Sequence, residues 1–252
     1  MSPEVTAELA AGVLTVTFRR PERRNALTWD MYEGLVAACE RADADPEVRA
    51  LVVRGEGGRA FAAGTDIGQF RAFTSGADGV AYERRVTAVL DRVRAVGVPT
   101  VAAVAGYCVG GGLGIACAAD LRIATPGSRF GVPIARTLGN CLSARTLDLM
   151  VEALGRPLTA DLLLTARMLE TEEAARVPGF LHAVVDDLDA GLDALTGRLT
   201  TGAPLTIWAT KRLLDDRSAD DTAVVDRVYG STDFRTTVAG FVQGGTPSWT
   251  GT

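Results

Sequence analysis

The chain has 252 residues, 47% of them hydrophobic, which is enough to bury the core of one α/β domain with a small appendage. Its net charge of −5 argues against a surface that binds nucleic acid through bulk positive charge, so we expect no nucleic-acid partner. No window is long and apolar enough to span a membrane, and the first ten residues carry two glutamates, so we expect neither a membrane partner nor a signal peptide.

The cysteines and the histidine limit the chemistry that the chain can carry. Four cysteines lack the spacing of metal ligands, and their apolar neighbours predict buried thiols: Cys39, Cys108, Cys117 and Cys141. Because His182 is the only histidine, a metal site and a Ser-His-Asp triad are both disfavoured. Buried thiols are typical of a reducing compartment, so we expect a cytoplasmic protein without a metal.

The first hundred residues alternate predicted strands and helices. Apolar, β-branched patterns predict strands over Val13 to Phe18 and Ala50 to Val53. Thr28 is positioned to cap a helix that continues to about Arg41. A polar, glycine-containing segment then precedes a long amphipathic helix, which we predict over Val80 to Val96.

The stretch from Val101 to Asp120 predicts a buried strand, a glycine run and a short apolar helix. Glycines at the start of a helix expose backbone amides in front of the positive end of its dipole, which suits an anion or a developing oxyanion. A dinucleotide fingerprint needs Gly-x-Gly-x-x-Gly, and Gly110, Gly112 and Gly114 supply only its first spacing, so we disfavour it. Close packing of the helix on a sheet is a second explanation for the run.

The chain changes character after Asp186. Before it, short strands and helices alternate, which predicts an α/β fold with substantial parallel pairing. After it, we predict one helix after another, over residues 190–199, 204–215 and 219–243. We therefore divide the chain into a core of residues 1–188 and a helical region of residues 189–252.

Five short motifs follow one another along the chain: Arg24-Asn-Ala-Leu27, Phe61-Ala-Ala-Gly-Thr-Asp-Ile67, Gly106-Tyr-Cys-Val-Gly-Gly-Gly112, Ala118-Ala-Asp-Leu-Arg-Ile-Ala124 and Phe130-Gly-Val-Pro133. Together they resemble the crotonase (enoyl-CoA hydratase/isomerase) family over nearly the whole chain. The resemblance implies a spiral of ββα units, a C-terminal helical trimerisation region and an acyl-CoA ligand. Coenzyme A would then be part of the substrate, and no further cofactor is expected.

Members of this family stabilise a thioester enolate with two backbone amides. By position in the motifs, the resemblance assigns these donors to Thr65 and Gly111, and the second lies at the glycine-rich helix start. It also assigns contacts with coenzyme A to a further set: Arg24, Ala26, Ala62, Ala63, Gly64 and Lys211. Lys211 would lie near the nucleotide phosphates, or else be an ordinary exposed lysine on a helix.

The sequence departs from the family at the two glutamates that hydratases use. By position these residues are Gly114 and Ile134, and neither can transfer a proton. Addition of water needs a base for the water and an acid for the α-carbon, each contributing roughly 10²–10⁴-fold. We therefore do not expect efficient hydration by the usual mechanism.

Other polar residues are candidates for the chemistry. Arg136 could hold a carboxylate on the acyl group, and Asn140 could orient a carbonyl or a water. Asp66 is the leading acidic candidate, although an N-cap is its simpler role. Tyr82 and Glu83 lie on the helix that flanks the acyl tunnel in the family, and either could point inward.

Two hypotheses follow. The first is an enolate-forming acyl-CoA enzyme that decarboxylates a malonyl-type thioester or moves a double bond. The second is a catalytically vestigial acyl-CoA-binding protein. We also expect a homotrimer or a dimer of trimers, because the C-terminal helices carry many apolar positions: Leu205, Ile207, Leu213, Val224, Val225 and Val228.

Overall fold

The computed structural model describes residues 3–215, 220–242 and 248–252. Within these residues there are ten strands: β1 (Val5–Ala10), β2 (Val13–Phe18), β3 (Ala50–Gly55), β4 (Ala60–Ala62), β5 (Thr100–Val104), β6 (Tyr107–Val109), β7 (Leu121–Ala124), β8 (Arg129–Gly131), β9 (Leu169–Glu170) and β10 (Ala183–Val184). One sheet has the order β1-β2-β3-β5-β7-β10 and is parallel except at β1. The other has the order β4-β6-β8-β9, and its first three strands are parallel.

The described part also has ten α-helices: α1 (Trp29–Ala44), α2 (Gly76–Arg94), α3 (Gly111–Ala118), α4 (Ala144–Leu154), α5 (Arg156–Thr165), α6 (Thr171–Ala174), α7 (Leu188–Thr200), α8 (Pro204–Asp215), α9 (Thr222–Tyr229) and α10 (Thr232–Val242). A strand of the first sheet is followed by a strand of the second, and a helix then returns the chain, at β3-β4-α2 and β5-β6-α3. The predicted α/β spiral of ββα units is confirmed. None of the described helices combines the length and the apolar character that crossing a membrane requires.

Two predicted helix boundaries are wrong, each because of a capping side chain. Helix α2 begins at Gly76 rather than Val80, since the Asp78 carboxylate accepts hydrogen bonds from the amides of Thr74 and Ser75, both at 2.8 Å. The predicted helix over residues 219–243 is two helices, and its predicted first and last residues both lie outside the described ones. The break falls where the hydroxyl of Ser231 accepts the Phe234 amide at 3.0 Å and starts α10.

The core lies on both faces of the larger sheet. On one face α1, α2 and α3 pack against the strands, and the predicted cap of α1 is confirmed, because the Thr28 hydroxyl accepts the Met31 amide. On the other face Leu192 and Leu195 of α7 are buried against Val52 and Val101. The first helix of the predicted helical region therefore packs on the sheet. Burying each leucine contributes about 1.5–3 kcal/mol.

The last three helices carry the apolar positions on which the expected oligomer rests. Of these, Leu205 and Val224 are buried within the chain itself, whereas Val225 is exposed. Other exposed apolar side chains surround it on α9 and α10, namely Tyr229, Phe234 and Val238. The apolar surface of this region is thus smaller than the sequence predicts and differently composed.

Candidate active site

The first two motifs of the sequence lie side by side. The Ala63 amide donates to the Arg24 carbonyl at 3.0 Å, and the Leu27 amide donates to the Gly64 carbonyl at 2.8 Å. The Asp66 amide then donates back to the Leu27 carbonyl at 2.9 Å. The Gly64 carbonyl and the Asp66 amide are thus both bonded to Leu27. The Thr65 amide lies between these two groups and takes no part in the pairing.

Asn25 holds the first motif in place, a role that the sequence analysis did not assign. Its backbone is left-handed, with φ of 53°, and its side chain is completely buried. The side-chain amide donates to the carbonyls of Glu56 and Ala60 at 3.0 and 2.7 Å, while its oxygen accepts the Arg20 amide at 2.9 Å. Asparagine tolerates this conformation and bonds nearby backbone, which could have signalled the role.

The glycine run places the start of α3 against the second motif. A Cβ on Gly112 would lie 2.6 Å from the Ala62 carbonyl oxygen, so this position has no room for a side chain. A Cβ on Gly64 would make an ordinary contact with the Gly110 Cα at 3.7 Å, and it is the φ of 93° that favours glycine there. A Cβ on Gly111 would overlap the Tyr32 hydroxyl and lie 3.5 Å from the Thr65 hydroxyl. The two predicted donor residues, Thr65 and Gly111, are therefore brought together.

The amides of Thr65 and Gly111 are available to a ligand. Among the described residues, neither amide donates a hydrogen bond to a backbone carbonyl in a turn, loop or cap. Gly111 is the first residue of α3, and an amide at that position has no acceptor within its own helix. Helix α3 directs the positive end of its dipole to the same place. Such a pair of donors can stabilise negative charge that develops on a carbonyl oxygen.

The predicted contacts with coenzyme A divide into those that a ligand can reach and those that it cannot. Arg24 is exposed, with its guanidinium 5.3 Å from the centre of the Tyr107 ring, and Ala26 and Ala63 are half-buried. Ala62 is completely buried against Gly112, so it offers no exposed side chain to a ligand. Gly64 is buried as well and can offer only backbone.

The position of Lys211 differs from both predictions that were made for it. It is neither an exposed helical lysine nor free to meet a phosphate, because it is buried and its ammonium lies 2.6 Å from the Asp120 carboxylate. The same nitrogen donates to the Val98 carbonyl at 3.3 Å. Asp120 also accepts the amide and the hydroxyl of Thr100, at 2.7 and 2.8 Å, and so joins α8 to the corner between α3 and β7.

Asp66 is the N-cap of the short 3₁₀ helix Ile67–Ala72, and N-capping is the simpler of the two roles considered for it. Its carboxylate accepts the Gly68 amide at 2.9 Å and forms an ion pair with Arg20 at 3.0 Å. The bond from Gly68 and the guanidinium of Arg20 lower the pKa of Asp66. A carboxyl group that stays ionised in this way is a poor proton donor near neutral pH.

A cavity of about 860 Å³ is connected to the donor pair through Tyr82, which lines it and whose hydroxyl lies 2.7 Å from that of Thr65. Its walls come from the segment before α2, from the first turns of α2 and from residues 138–145, and its larger apolar side chains are Phe70, Phe73, Val80, Tyr82, Leu138 and Leu142. Asn140 lines this cavity, whereas Arg136 is exposed and lies outside its wall, which is against the predicted role of Arg136. Cys141 is exposed and lines the cavity too, so the prediction that it is buried is wrong.

Glu83 is the acidic side chain in the wall of this cavity. It is half-buried, and one carboxylate oxygen accepts the Ser143 amide at 2.7 Å. Burial raises the pKa of Glu83, and the bond from Ser143 opposes that rise only in part. Both Tyr82 and Glu83 therefore point toward the cavity, where the sequence analysis had left open which of them would.

The two positions that carry glutamate in hydratases have no polar function here. A Cβ on Gly114 would lie 3.2 Å from a methyl carbon of Leu90, in the packed space between α3 and α2. Ile134 packs partly buried against the main core. No carboxylate lies at either position.

A set of hydroxyl groups at the site was missed by the sequence analysis. The Thr65 hydroxyl lies 2.8 Å from the Tyr32 hydroxyl and 2.7 Å from the Tyr82 hydroxyl. Tyr82 belongs to an aromatic cluster in which its ring centre is 4.9 Å from that of Phe70 and 5.8 Å from that of Trp29. Tyrosine on the buried face of α1 needs a polar partner, which is the signal that could have revealed this contact.

Comparisons with known proteins agree with this geometry. Residues 8–239 match the protein-family profile described as enoyl-CoA hydratase/isomerase. The chain is 31% identical over 210 residues to an (E)-benzylidenesuccinyl-CoA hydratase of Thauera aromatica, covering 82% of this chain and 80% of that protein.

Solved structures show the same resemblance. The fold is similar to that of an enoyl-CoA hydratase/carnithine racemase of Magnetospirillum magneticum, with a TM-score of 0.90, 32% identity and coverage of 100% and 97% of the two chains. It is also similar to an enoyl-CoA hydratase of Mycobacterium marinum, with a TM-score of 0.84, 28% identity and full coverage of both chains.

Proposed function

The chain belongs to the enoyl-CoA hydratase/isomerase family, and on that premise we propose that it forms the enolate of an acyl-CoA thioester at the amides of Thr65 and Gly111. The observation that carries the proposal is the meeting of these two residues at the start of α3, where the Thr65 hydroxyl contacts Tyr82 of the cavity wall. The coenzyme A portion would pass Arg24, Ala26 and Ala63, with its charged groups on the exposed side of Arg24.

We propose proton transfer rather than hydration as the reaction. Gly114 and Ile134 supply no carboxylate to activate a water. Glu83 is a single carboxylate in the cavity wall whose pKa is raised, as a proton-transferring group requires. It would remove a proton from the α-carbon, the electron pair would move to the thioester oxygen, and the proton would return at the α-carbon or, where the acyl group has a β,γ double bond, at the γ-carbon. Return at the γ-carbon moves the double bond, which is isomerisation.

Decarboxylation is the second candidate, because loss of CO₂ creates the enolate without a base. The chain would need a cation for the acyl carboxylate, and Arg136 lies outside the cavity wall. Arg84 and Arg145 line the cavity, but Arg145 already pairs with Asp91 at 2.7 Å. We therefore expect Arg136→Leu to leave turnover unchanged, while Arg84 is the arginine that a carboxylated acyl group would need.

The acyl group that we propose is large and apolar, with an aromatic ring as the best fit. A cavity of about 860 Å³ is in the range that holds drug-sized ligands and far exceeds the needs of a four-carbon chain. Phe70, Phe73 and Tyr82 line it and pack edge to face on one another, and an aromatic acyl group would gain from further contacts of the same kind. The relative from Thauera aromatica is named for a substrate with a benzylidene group, which also contains an aromatic ring.

Exchange of α-protons in D₂O tests enolate formation without knowledge of the natural substrate. Phenylacetyl-CoA should lose its α-proton signals in a proton NMR spectrum in the presence of the protein, because each enolate recaptures deuterium from solvent. Crotonyl-CoA in a parallel assay should bind but hydrate only slowly. Absence of exchange with both phenylacetyl-CoA and octanoyl-CoA, despite binding, would support the vestigial binding protein instead.

We also propose the homotrimer or dimer of trimers that the family resemblance implies. The exposed side chains of Val225, Tyr229 and Phe234 give the last helices an apolar surface that a second copy could cover. Light scattering should give three or six times the chain mass of 26.4 kDa, and a monomer would contradict the proposal.

A further inference from the structure

The hydroxyl groups of Tyr32, Thr65 and Tyr82, here called the hydroxyl cluster, have no role in the mechanism as described so far. Thr65 lies at its centre and bonds both phenols. The cluster borders the donor pair directly, because a Cβ on Gly111 would overlap the Tyr32 hydroxyl and lie 3.5 Å from that of Thr65. Tyr82 also lines the acyl cavity. Three hydroxyls thus lie next to the two residues whose amides we assign to the thioester oxygen.

Counting hydrogens shows that the hydroxyl cluster always has a donor to spare. It holds three O–H groups and makes two internal hydrogen bonds, each of which uses one hydrogen. One O–H therefore stays available in every arrangement. Among the described residues, the three oxygens have no other hydrogen-bond partner.

Burial decides where the spare hydrogen lies. Tyr32 is 1% exposed, and a hydrogen that it directed away from Thr65 would have no acceptor among the described residues, which costs free energy. Tyr32 therefore donates to Thr65. The spare O–H then belongs to Thr65, if Tyr82 also donates to it, or to Tyr82, if Thr65 donates onward.

The phenols remain donors at every pH at which the protein is expected to work. Burial raises the pKa of Tyr32 and that of Tyr82, and the nearby charge of Glu83 raises both further. Neither phenol ionises near neutral pH. The hydroxyl cluster can accordingly stabilise negative charge but cannot act as a base.

We propose that the hydroxyl cluster supplies a third hydrogen bond to the thioester oxygen, beside the amides of Thr65 and Gly111. Thr65 would then contribute through its main chain and through its side chain, in the arrangement in which both phenols donate to its hydroxyl. This inference rests on the proposed function, because it concerns the same oxygen. It predicts a ligand whose oxygen becomes negative during the reaction, as in an enolate.

The test compares Thr65→Val with Thr65→Ser, since valine keeps the shape and the main-chain amide while serine keeps the hydroxyl. Thr65→Val should lower kcat for α-proton exchange of phenylacetyl-CoA by about 10²-fold, the usual effect of one lost donor, with KM changed little. Thr65→Ser should restore most of the rate. Tyr82→Phe should cost no more than a few-fold, because the spare hydrogen then lies on Thr65. Thr65→Ala serves as a second variant if valine prevents folding.

Infrared spectroscopy gives a readout that does not depend on turnover. Phenylacetyl-CoA labelled with ¹³C at the thioester carbon should show a lower carbonyl frequency on the wild-type protein than on Thr65→Val, because one more donor polarises the bond. Equal frequencies would overturn the hydroxyl cluster as a donor even if the wild type exchanges α-protons. Lack of exchange by the wild type, with the frequency difference present, would instead overturn the proposed function and keep the third donor.

Discussion

The two ends of the candidate site are built in different ways, and their carboxylates show it. At the donor end, backbone amides lie between paired segments, and Asp66 is ionised and bound by an amide and an arginine. At the acyl end, the wall is made of side chains from separate segments, and Glu83 is half-buried with a single amide on one oxygen. The pKa of Asp66 is lowered, and the pKa of Glu83 is raised.

This difference assigns the roles of the two residues. Opposite shifts of neighbouring carboxyl groups separate a charge that stays in place from one that can exchange a proton. Asp66, the leading acidic candidate in the sequence, therefore fixes the loop that carries Thr65. Under the proposed function the acid-base role belongs to Glu83, and substitutions in the acyl wall should change the reaction while leaving the donors intact.

The largest expected effect comes from Glu83→Gln. Because glutamine still accepts the Ser143 amide but cannot take a proton, α-proton exchange should fall by about 10²–10⁴-fold with folding preserved. In the wild type, kcat/KM should decline as pH falls through the pKa of Glu83, which lies above the ordinary 4.5. The measurement is a pH profile of exchange for both proteins.

The stability of the same variant provides a control. A raised pKa means that the folded protein holds the proton of Glu83 more tightly than the unfolded chain does. The stability that this protonated group contributes is therefore lost as pH rises from 4.5 through the pKa of Glu83 in the folded protein. Glu83→Gln should thus be at least as stable as the wild type at neutral pH. A variant that loses activity together with stability would contradict the assignment.

Gly111→Ala tests the donor end and should lower kcat by about 10²–10³-fold. The added methyl overlaps the Tyr32 hydroxyl and must displace the start of α3 from Thr65. Gly197→Ala is the matched control, because nothing lies within 4 Å of the position in α7, so stability should rise by about 0.5–1 kcal/mol with activity unchanged. Adding Tyr32→Phe to Gly111→Ala frees space and should recover part of the rate; no recovery would show that the clash is not the cause.

Lys211→Met tests whether Lys211 has a structural role or binds a phosphate of the ligand. Removing the ammonium leaves the Asp120 carboxylate without its ion pair, so the free energy of unfolding should fall by about 3 kcal/mol. The dissociation constant for coenzyme A, measured by calorimetry below the melting range, should change little. A large loss of affinity in a stable variant would instead support the predicted contact of Lys211 with the phosphates of coenzyme A.

The smallest expected effect is that of Asp66→Ala, about 1 kcal/mol from the lost N-cap. Because the pKa of Asp66 is lowered in the folded protein, its contribution is present above the ordinary 3.8 and is lost as pH falls through the folded pKa. Urea unfolding should show the difference at neutral pH and its disappearance in acid. Asp66→Asn, which can still accept the Gly68 amide, should lose less.

Much of the donor end was predictable because it depends on local sequence. Glycines at the start of a helix and a small-residue motif after a strand specify backbone conformation over a few residues, so Thr65 and Gly111 could be placed by motif. The walls of the acyl cavity could not be placed in this way. Residues 138–145 reach Glu83 only after the chain has passed through four more strands, and the Ser143 amide that meets its carboxylate is 60 positions away.

The sequence by itself determined the alternation of strands and helices, the family and the absence of both hydratase glutamates, since each depends on residue type and order. Only the tertiary structure decided which charged groups are free to act. It buried Lys211 against Asp120, bound Asp66 to Arg20, left Arg136 outside the cavity and turned Glu83 toward it. The reason is that desolvation and ion pairing depend on distance in space, which residues far apart in the chain acquire only on folding.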